Sequence, residues 1–300
     1  MAYTEIKKRK DKKYYYRVKS LRKGKKFKKK RIYLGVDLKK DSLKEKEKKA
    51  DKELIVLNNL LTEQEKKFLD KLKKKFSKQP KENLENRYES FVSFFTYDTN
   101  AIEGNSLTLE ETSYLLFEKR VPKEKSLREI NETLNHKEAF DFILKHKGDI
   151  TKKFILKLHK LVVKNTLKED LNNQIGKYRT LQNYIRGREW MPSKPSKVPN
   201  EMKQLITWYS KNKKKLHPLI TASYFHIAFE TIHPFVDGNG RVGRLLMNFI
   251  LYKNKFPMIN VPNKIKLRYY NALHIATIKG ELKPFVDLML ELLKEIKIMF

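Results

Sequence analysis

In the last third of the chain, a loop bracketed by glycines runs straight into an apolar helix, and this segment constrains the fold most. Residues 233–244 read HPFVDGNGRVGR, and the apolar run at 245–252 that follows predicts a buried helix. The first backbone N–H groups of a helix lack intrahelical partners, and the helix dipole adds to their preference for negative charge. The segment therefore predicts an anion site at the N-terminus of a core helix.

Four side chains of this segment have chemistry that suits a nucleotide. Arg241 and Arg244 lie three residues apart, so they share a helix face and can reach two points on a polyphosphate. Asp237 suits Mg²⁺, which binds through one or two carboxylates together with substrate phosphates. His233 can take a proton from a hydroxyl nucleophile. The alternative, a glycine turn that only caps a core helix, explains neither Asp237 nor the two arginines.

Residues 233–244 resemble, at every defined position, the catalytic signature of Fic-domain proteins: His-x-Phe-x-(Asp or Glu)-Gly-Asn-Gly-Arg-x-x-Arg. The resemblance implies a protein adenylyltransferase, which transfers AMP from ATP to a Ser, Thr or Tyr hydroxyl of a protein. It also implies Mg²⁺ as cofactor, with Mn²⁺ as an alternative. His233 would be the catalytic base and Asp237 the metal ligand. Nucleotide binding would fall to Asp237, Gly238, Asn239, Gly240, Arg241, Val242, Gly243 and Arg244.

A second motif lies upstream, at the end of an amphipathic helix. Residues 99–105 read TNAIEGN and resemble the inhibitory motif of Fic proteins, in which a Ser or Thr precedes a Glu by four residues. The resemblance implies that Glu103, with Thr99, pairs with Arg244 and so removes the partner of the γ-phosphate. The alternative is a helix ended by Gly104, with Glu103 facing solvent.

Two further segments resemble Fic elements more loosely. Residues 181–191 read as a hairpin inserted between helices, similar to the flap that aligns a target segment by main-chain pairing. Its aligning residues would be Asn183, Tyr184, Ile185 and Arg186. The helix near 264–279 is similar to the family's nucleoside-holding helix, and its contacts would be Tyr269, Tyr270 and Thr277. An ordinary connecting hairpin is the alternative for residues 181–191.

The N-terminal segment carries much of the positive charge of the chain. Residues 1–40 hold 18 Lys or Arg against three acids, a net charge of +15 out of +33 for the whole chain. Two strands are predicted at residues 13–19 and 27–34, with a turn at 23–25. A basic ribbon with interleaved tyrosines is compatible with contact with nucleic acid or with a protein, and a solvated lysine-rich ribbon is the alternative.

Composition narrows the classes of protein and the kinds of site that remain possible. The chain has no cysteine, which excludes disulfides, thiolate metal sites and a cysteine nucleophile. No apolar run approaches membrane-spanning length, and the N-terminus is unlike a signal peptide, so we expect a cytoplasmic protein without a membrane partner. His226 lies two helical turns before His233, but no third ligand has matching spacing, which favours a packed core histidine.

The expected fold is mainly α: a Fic-type helical domain with a β-hairpin flap, preceded by a small basic β-ribbon and linking helices. We expect the ribbon at 1–40, a charged helical linker at 41–82 and the catalytic domain at 83–300, with the inhibitory helix near 84–103. The protein target is unknown, and the chain itself is one candidate; a homodimer is compatible with the sequence. Two alternatives stay open: removal of AMP by the same site, and a DNA-binding regulator that uses the domain as a nucleotide sensor.

Overall fold

The chain divides into two units, Met1–Leu60 and Leu61–Phe300, in a computed structural model. The structure describes residues 2–9, 11–23, 26–54, 57–80, 82–184, 191–296 and 300. Within these ranges the chain is mostly helical and carries one small antiparallel sheet, which confirms the mainly α fold class.

The first unit is a three-stranded antiparallel sheet with one helix. Strands β1 (Ala2–Arg9), β2 (Lys12–Lys23) and β3 (Lys26–Val36) pair in the order β1-β2-β3. The two predicted strands are confirmed as β2 and β3, and β1 is an additional strand that was not predicted. Four of the eight residues of β1 are charged, and it owes its strand structure to pairing with β2. The predicted turn residues Gly24 and Lys25 lie outside the described residues.

Helix α1 (Lys40–Leu54) follows the sheet and covers one of its faces. This helix lies in the segment expected to be a charged helical linker, and its Lys, Glu and Ala residues are strong helix formers. Glu47 of α1 pairs with Arg17 of β2 at 3.5 Å and accepts a hydrogen bond from Thr4 of β1. A long polar helix is thereby anchored on the sheet.

The second unit is helical. Its helices are α2 (Glu63–Ser77), α3 (Leu84–Ile102), α4 (Leu109–Ser113), α5 (Leu127–Lys145), α6 (Lys152–Val162), α7 (Val198–Asn212), α8 (Pro218–Ile232), α9 (Asn239–Lys253), α10 (Lys266–Lys279) and α11 (Lys283–Lys294). Helix α4 continues as a π turn at Tyr114–Glu118. The capping-box sequence at 108–111 and Thr151 both predict helix starts. The structure confirms both, since each threonine side chain accepts a hydrogen bond from a backbone N–H of the first turn.

Helix α9 is the centre of this unit. It packs against α3, α5, α6 and α8, and the apolar side chains of its 245–251 stretch are all buried. The predicted buried helix is therefore confirmed, and its N-terminus is held rigidly among four other helices. Among the described residues, none of the helices has the length and apolar character needed to cross a bilayer.

Candidate active site

The loop between α8 and α9 is held in its conformation by the side chain of Asn239. Helix α8 ends at His233, whose φ of 51° is left-handed, and Gly238, with a φ of 76°, caps the start of α9. The Asn239 side chain accepts from the Phe235 N–H at 2.9 Å and donates to the Phe235 carbonyl at 2.8 Å. Phe235 in turn stacks on the buried His159 ring, with centroids 3.8 Å apart. Asn239 thus acts through its side chain as a loop staple.

Gly238 has a second reason to be glycine besides its positive φ. A Cβ at this position would lie 2.7 Å from a methyl carbon of Val163, which is closer than real contacts allow. The loop therefore follows the surface of α6 closely, and this proximity sets the direction in which α9 begins.

His233 is half-buried at the end of α8, with its side chain 20% exposed. Burial lowers the pKa of His233 to about 4, although Glu103 acts to raise it. The ring is therefore neutral at pH 7 and can accept a proton. Arg179 donates from Nε to the His233 carbonyl at 2.7 Å, which fixes the backbone of this residue. Sequence reasoning did not single out Arg179; a lone arginine after the Gly176 turn was its only signal.

The first turn of α9 faces a carboxylate from α3. Asn239, Gly240 and Arg241 are its first three residues, so their N–H groups precede the intrahelical hydrogen-bond ladder. A Cβ on Gly240 would lie 2.1 Å from Oε1 of Glu103. The Glu103 carboxylate therefore rests directly against this helix N-terminus, where an anion is stabilised.

Arg244 joins the same cluster one turn further into α9. Its guanidinium donates to Glu103 Oε1 at 2.7 Å, to the Thr99 hydroxyl at 2.5 Å and to the Thr99 carbonyl at 3.0 Å. Burial acts to lower the pKa of Arg244, but Tyr269 and Glu103 outweigh it and raise the pKa above its ordinary value. The structure thus brings together the three residues of the expected inhibitory contact, and Glu103 does not simply face solvent.

Arg241 and Asp237 form a second charged group at the loop. Arg241 is 2% exposed and lies 3.3 Å from Glu132 of α5 and 3.4 Å from Asp237. Asp237 also accepts from the Gly238 N–H at 2.6 Å and from Arg128 at 3.2 Å. Burial acts to raise the pKa of Asp237, but Arg241, Gly238 and Arg128 outweigh it, so the pKa is lowered and the group is ionised at neutral pH.

The Asp237 carboxylate fits a magnesium ion that is shared with phosphates. Its side chain is 36% exposed and ionised, so an oxygen ligand is accessible from solvent. The described residues contain no group of three or more His, Asp or Glu side chains that could hold a metal alone. A single protein carboxylate supplemented by substrate oxygens is the usual arrangement for Mg²⁺. Glu132 and Arg128, which flank the carboxylate, were missed because their spacing carries no motif.

The expected flap residues are only partly described. Asn183 donates to the Phe235 carbonyl at 2.8 Å and so ties its segment to the catalytic loop, while Tyr184 is 78% exposed. Ile185 and Arg186 lie outside the described residues, as does the hairpin turn expected at 186–188.

The expected nucleoside contacts differ in their accessibility. Tyr269 is 1% exposed and shares a hydrogen bond of 2.7 Å with His226, which is a core histidine as predicted. Tyr270 is half-buried, and its hydroxyl donates to the Ile102 carbonyl at 3.4 Å. Thr277 shares a hydrogen bond of 3.1 Å with Thr231 at the end of α8. Tyr270 is therefore the more accessible ring.

Val242 and Gly243 face the protein interior. Val242 is fully buried, and a Cβ on Gly243 would lie 2.4 Å from Oε1 of Glu230 and 3.0 Å from the His226 ring. The side of α9 at Gly243 thus allows α8 to approach closely.

Comparison with known proteins finds a family match that includes this loop. Residues 149–251 match the Fic/DOC family. "Protein adenylyltransferase fic-1" of Caenorhabditis elegans is 34% identical over 198 residues, which cover 64% of this chain and 38% of that protein. "Protein adenylyltransferase Fic" of Drosophila melanogaster is 36% identical over 194 residues, covering 63% and 38%. The chain therefore spans less than two-fifths of the length of these relatives.

Solved structures show the same fold. A Fic domain containing signaling protein from Bacteroides thetaiotaomicron superposes with a TM-score of 0.70 at 27% identity, over 77% of this chain and 94% of that one. Fic-1 from C. elegans superposes with a TM-score of 0.69 at 27% identity, over 86% and 76%.

Proposed function

We propose that this chain, which contains a Fic domain, transfers AMP from ATP to a protein hydroxyl and is restrained by its own Glu103. One observation carries the proposal: a carboxylate of the chain lies against Gly240 at the N-terminus of α9 and is paired with Arg244. A buried arginine at a helix N-terminus forms an anion site, and this one sits one loop away from a neutral histidine.

In the proposed reaction, His233 accepts the proton of a Ser, Thr or Tyr hydroxyl. The hydroxyl oxygen bonds to the α-phosphorus of ATP, the bond from that phosphorus to the β-phosphate oxygen breaks, and pyrophosphate leaves. The N–H groups of Asn239, Gly240 and Arg241 stabilise phosphate oxygens, and most of the rate comes from holding the two reactants in line. Mg²⁺ would be held by Asp237 together with the phosphates, and its charge would offset that of the triphosphate.

Arg241 acts on the same site from a buried position. It is paired with Glu132 and Asp237, so it holds the metal-binding carboxylate in place and adds positive charge beneath the phosphates. Arg244 is the partner that Glu103 competes for. With Glu103 bound, its negative charge stands where the γ-phosphate would contact Arg244, so ATP binds in an unproductive position.

The test is AMP transfer by Glu103→Gly with α-labelled ATP and Mg²⁺, measured on the protein itself and on a lysate. A charge-assisted contact to phosphate is worth about 1.5–3 kcal/mol, so we expect activation of roughly tenfold or more. The control is Glu103→Gly combined with His233→Ala, which should bind ATP and transfer nothing. Unchanged transfer in Glu103→Gly would contradict the restraint. If Glu103 instead serves removal of AMP from a modified protein, the same substitution would abolish that activity.

We also propose that the sheet of the first unit contacts nucleic acid. Helix α1 covers one face, and on the opposite face Tyr33 contacts two other tyrosines, with ring centroids 5.3 Å from Tyr16 and 6.4 Å from Tyr14. Lys7 lies 5.7 Å over the Tyr16 ring, and Tyr33 is 53% exposed. Basic side chains and tyrosine hydroxyls on an open sheet suit the phosphates of a duplex groove.

The salt dependence of duplex DNA binding tests this second proposal. Each neutralised phosphate releases counterions, so affinity should fall steeply between about 50 and 200 mM salt. Lys7→Glu on the open face should weaken binding more than Lys44→Glu, which makes the same charge change on the exposed surface of α1. Equal effects of the two substitutions would show that only overall charge matters.

A further inference from the structure

Glu230, in the last turn of α8, is a buried carboxyl group without a role in the reaction above. Its side chain is 16% exposed, and within the described part of the chain its Oε1 has no hydrogen-bond partner. Its Oε2 lies 3.9 Å from Nδ1 of His233, whose side chain is 20% exposed. Among the described residues this Nδ1 makes no hydrogen bond of normal geometry, although the Glu230 backbone acts to raise the pKa of His233. Oε2 of Glu230 and Nδ1 of His233 thus face each other, while Oε1 lies towards Gly243. Leaving Oε1 and Nδ1 without hydrogen-bond partners costs free energy.

The space for this carboxyl comes from the neighbouring helix. A Cβ on Gly243 would lie 2.4 Å from Glu230 Oε1 and 3.0 Å from the His226 ring. Any side chain at 243 would therefore push the carboxyl away from its present position. Glycine at this position keeps α9 close to Glu230, and Glu230 close to His233.

We infer that Glu230 is the positioning residue of the catalytic histidine, an inference that rests on the proposed function. In a neutral imidazole, one ring nitrogen carries the proton and the other carries the lone pair. Since Nδ1 faces Glu230, a hydrogen bond between them would place the proton on Nδ1 and the lone pair on Nε2. A base for the attacking hydroxyl needs this tautomer. To form this hydrogen bond, the distance between Glu230 Oε2 and His233 Nδ1 must shorten by about 1 Å. Catalytic hydrogen bonds are often long before substrate binds.

The surroundings of Glu230 determine which variants are informative. The charged and titratable groups around it are His226 from α8, His233 at the end of that helix, Arg244 from α9, Tyr269 from α10 and Glu103 at the end of α3. Burial raises the pKa of Glu230 to about 8, Arg244 acts to lower it, and Glu103 adds to the increase. A largely protonated carboxyl still offers its carbonyl oxygen to an Nδ1–H donor. Glutamine offers the same oxygen, whereas methionine fills a similar volume without an oxygen acceptor.

The experiment compares Glu230→Gln with Glu230→Met in the full chain carrying Glu103→Gly. We expect the methionine variant to lose roughly ten- to a hundredfold in kcat, with KM for ATP within about twofold of the parent. The glutamine variant should stay within about threefold of the parent kcat. Nitrogen-15 NMR of labelled histidines should show the Nδ1–H tautomer of His233 in the parent and the glutamine variant, and lose it in the methionine variant.

Gly243→Ala gives a second route to the same change, because its methyl group displaces the Glu230 carboxyl without removing it. We expect the same loss of kcat and of the Nδ1–H tautomer. A methionine variant with the parent's kcat and tautomer would overturn the inference, as would equal losses in the glutamine and methionine variants. The tautomer measurement needs no turnover. A parent without AMP transfer would therefore contradict the proposed function, while the NMR result would still decide the role of Glu230.

Discussion

At the scale of single residues, the site depends on the space beside Gly240. The Glu103 carboxylate fills this space in the structure, and the γ-phosphate would need it in the proposed reaction. Glu103 Oε1 would lie 2.1 Å from a Cβ on Gly240, and Arg244 would lie 3.0 Å from it. In the proposed mechanism, the γ-phosphate uses the same space once Glu103 leaves. The restraint and the substrate therefore compete for one volume as well as for one guanidinium.

This shared volume makes Gly240→Ala informative. The added methyl group should displace Glu103, yet it should also keep phosphate away from the start of α9. We expect AMP transfer to stay low in Gly240→Ala and in its combination with Glu103→Gly, in contrast to the activation expected of Glu103→Gly alone. Activation by Gly240→Ala, measured with α-labelled ATP, would show that the two anions occupy different positions.

The pH dependence of transfer should report the state of His233. A base must be neutral to act, and burial lowers the pKa of His233 to about 4, so the neutral form dominates above that value. We expect kcat/KM of Glu103→Gly to remain level from pH 7 down to about pH 5 and to fall only at about pH 4 or below, because the variant lacks the carboxylate that acts to raise the pKa of His233. The measurement is a pH–rate profile at saturating Mg²⁺. A fall centred near pH 6.5, the ordinary histidine value, would contradict a buried neutral base.

At the scale of elements, the α8–loop–α9 unit owes its shape to Asn239. This side chain satisfies both the N–H and the carbonyl of Phe235, and it is 2% exposed. The sequence predicted the loop and the helix that follows it, but it predicted a nucleotide contact for Asn239. The motif specifies an asparagine at this position. It does not show whether the amide contacts the nucleotide or hydrogen-bonds to the backbone of the loop.

Asn239→Ala should therefore destabilise the second unit as well as impair transfer. Two buried backbone groups would lose their partners, each at a cost of about 1–3 kcal/mol. We expect a fall of roughly 2–4 kcal/mol in the free energy of unfolding, measured by urea denaturation. The control is Asn254→Ala at the end of α9, whose amide donates to one helix carbonyl at 2.7 Å; it should cost less than about 1 kcal/mol. Equal costs would contradict the stapling role of Asn239.

The elements that were predicted depend on local sequence signals, whereas those that were missed depend on contacts with other parts of the fold. Helix starts at Thr108 and Thr151, and the buried run of α9, were predictable because caps and helical periodicity are local signals. Strand β1 was missed because a charged strand shows no alternation, and only β2 makes it a strand. Arg128, Glu132, Arg179 and Glu230 escaped notice for a related reason: each reaches the loop from another part of the fold, and spacing along the chain does not encode that contact.

At the scale of the whole molecule, one cost of this architecture is a set of histidines buried in neutral form. Burial lowers the pKa of His159, His217 and His233 to about 4 and that of His226 to about 3, and it holds the pKa of His136 well below its ordinary value. Glu230 is the opposite case, since burial raises its pKa to about 8. The stability of the helical unit therefore depends on proton binding by groups in its active site and its core.

The sign of the stability change follows from these directions. Between about pH 6.5 and 4, each of these histidines binds a proton when the chain unfolds and stays neutral when folded, so stability falls as pH falls. Each such histidine contributes a slope of up to about 1.4 kcal/mol per pH unit. Glu230 opposes this with a single proton, because it is protonated when folded and ionised when unfolded between about pH 4.5 and 8. The histidines outnumber it.

We therefore expect the melting temperature of the helical unit to fall steadily from pH 6.5 to pH 4.5, measured by calorimetry in buffers of equal ionic strength. His217→Asn provides a matched variant. His217 accepts a hydrogen bond from the Leu219 N–H at the start of α8, and asparagine can cap the helix in the same way without titrating. The variant should therefore fold at pH 7 and lose less stability on acidification than the parent, by the contribution of one histidine. An identical acid dependence of the two proteins would show that His217 has the same pKa in the folded and unfolded chain, which would contradict the effect of burial on this histidine.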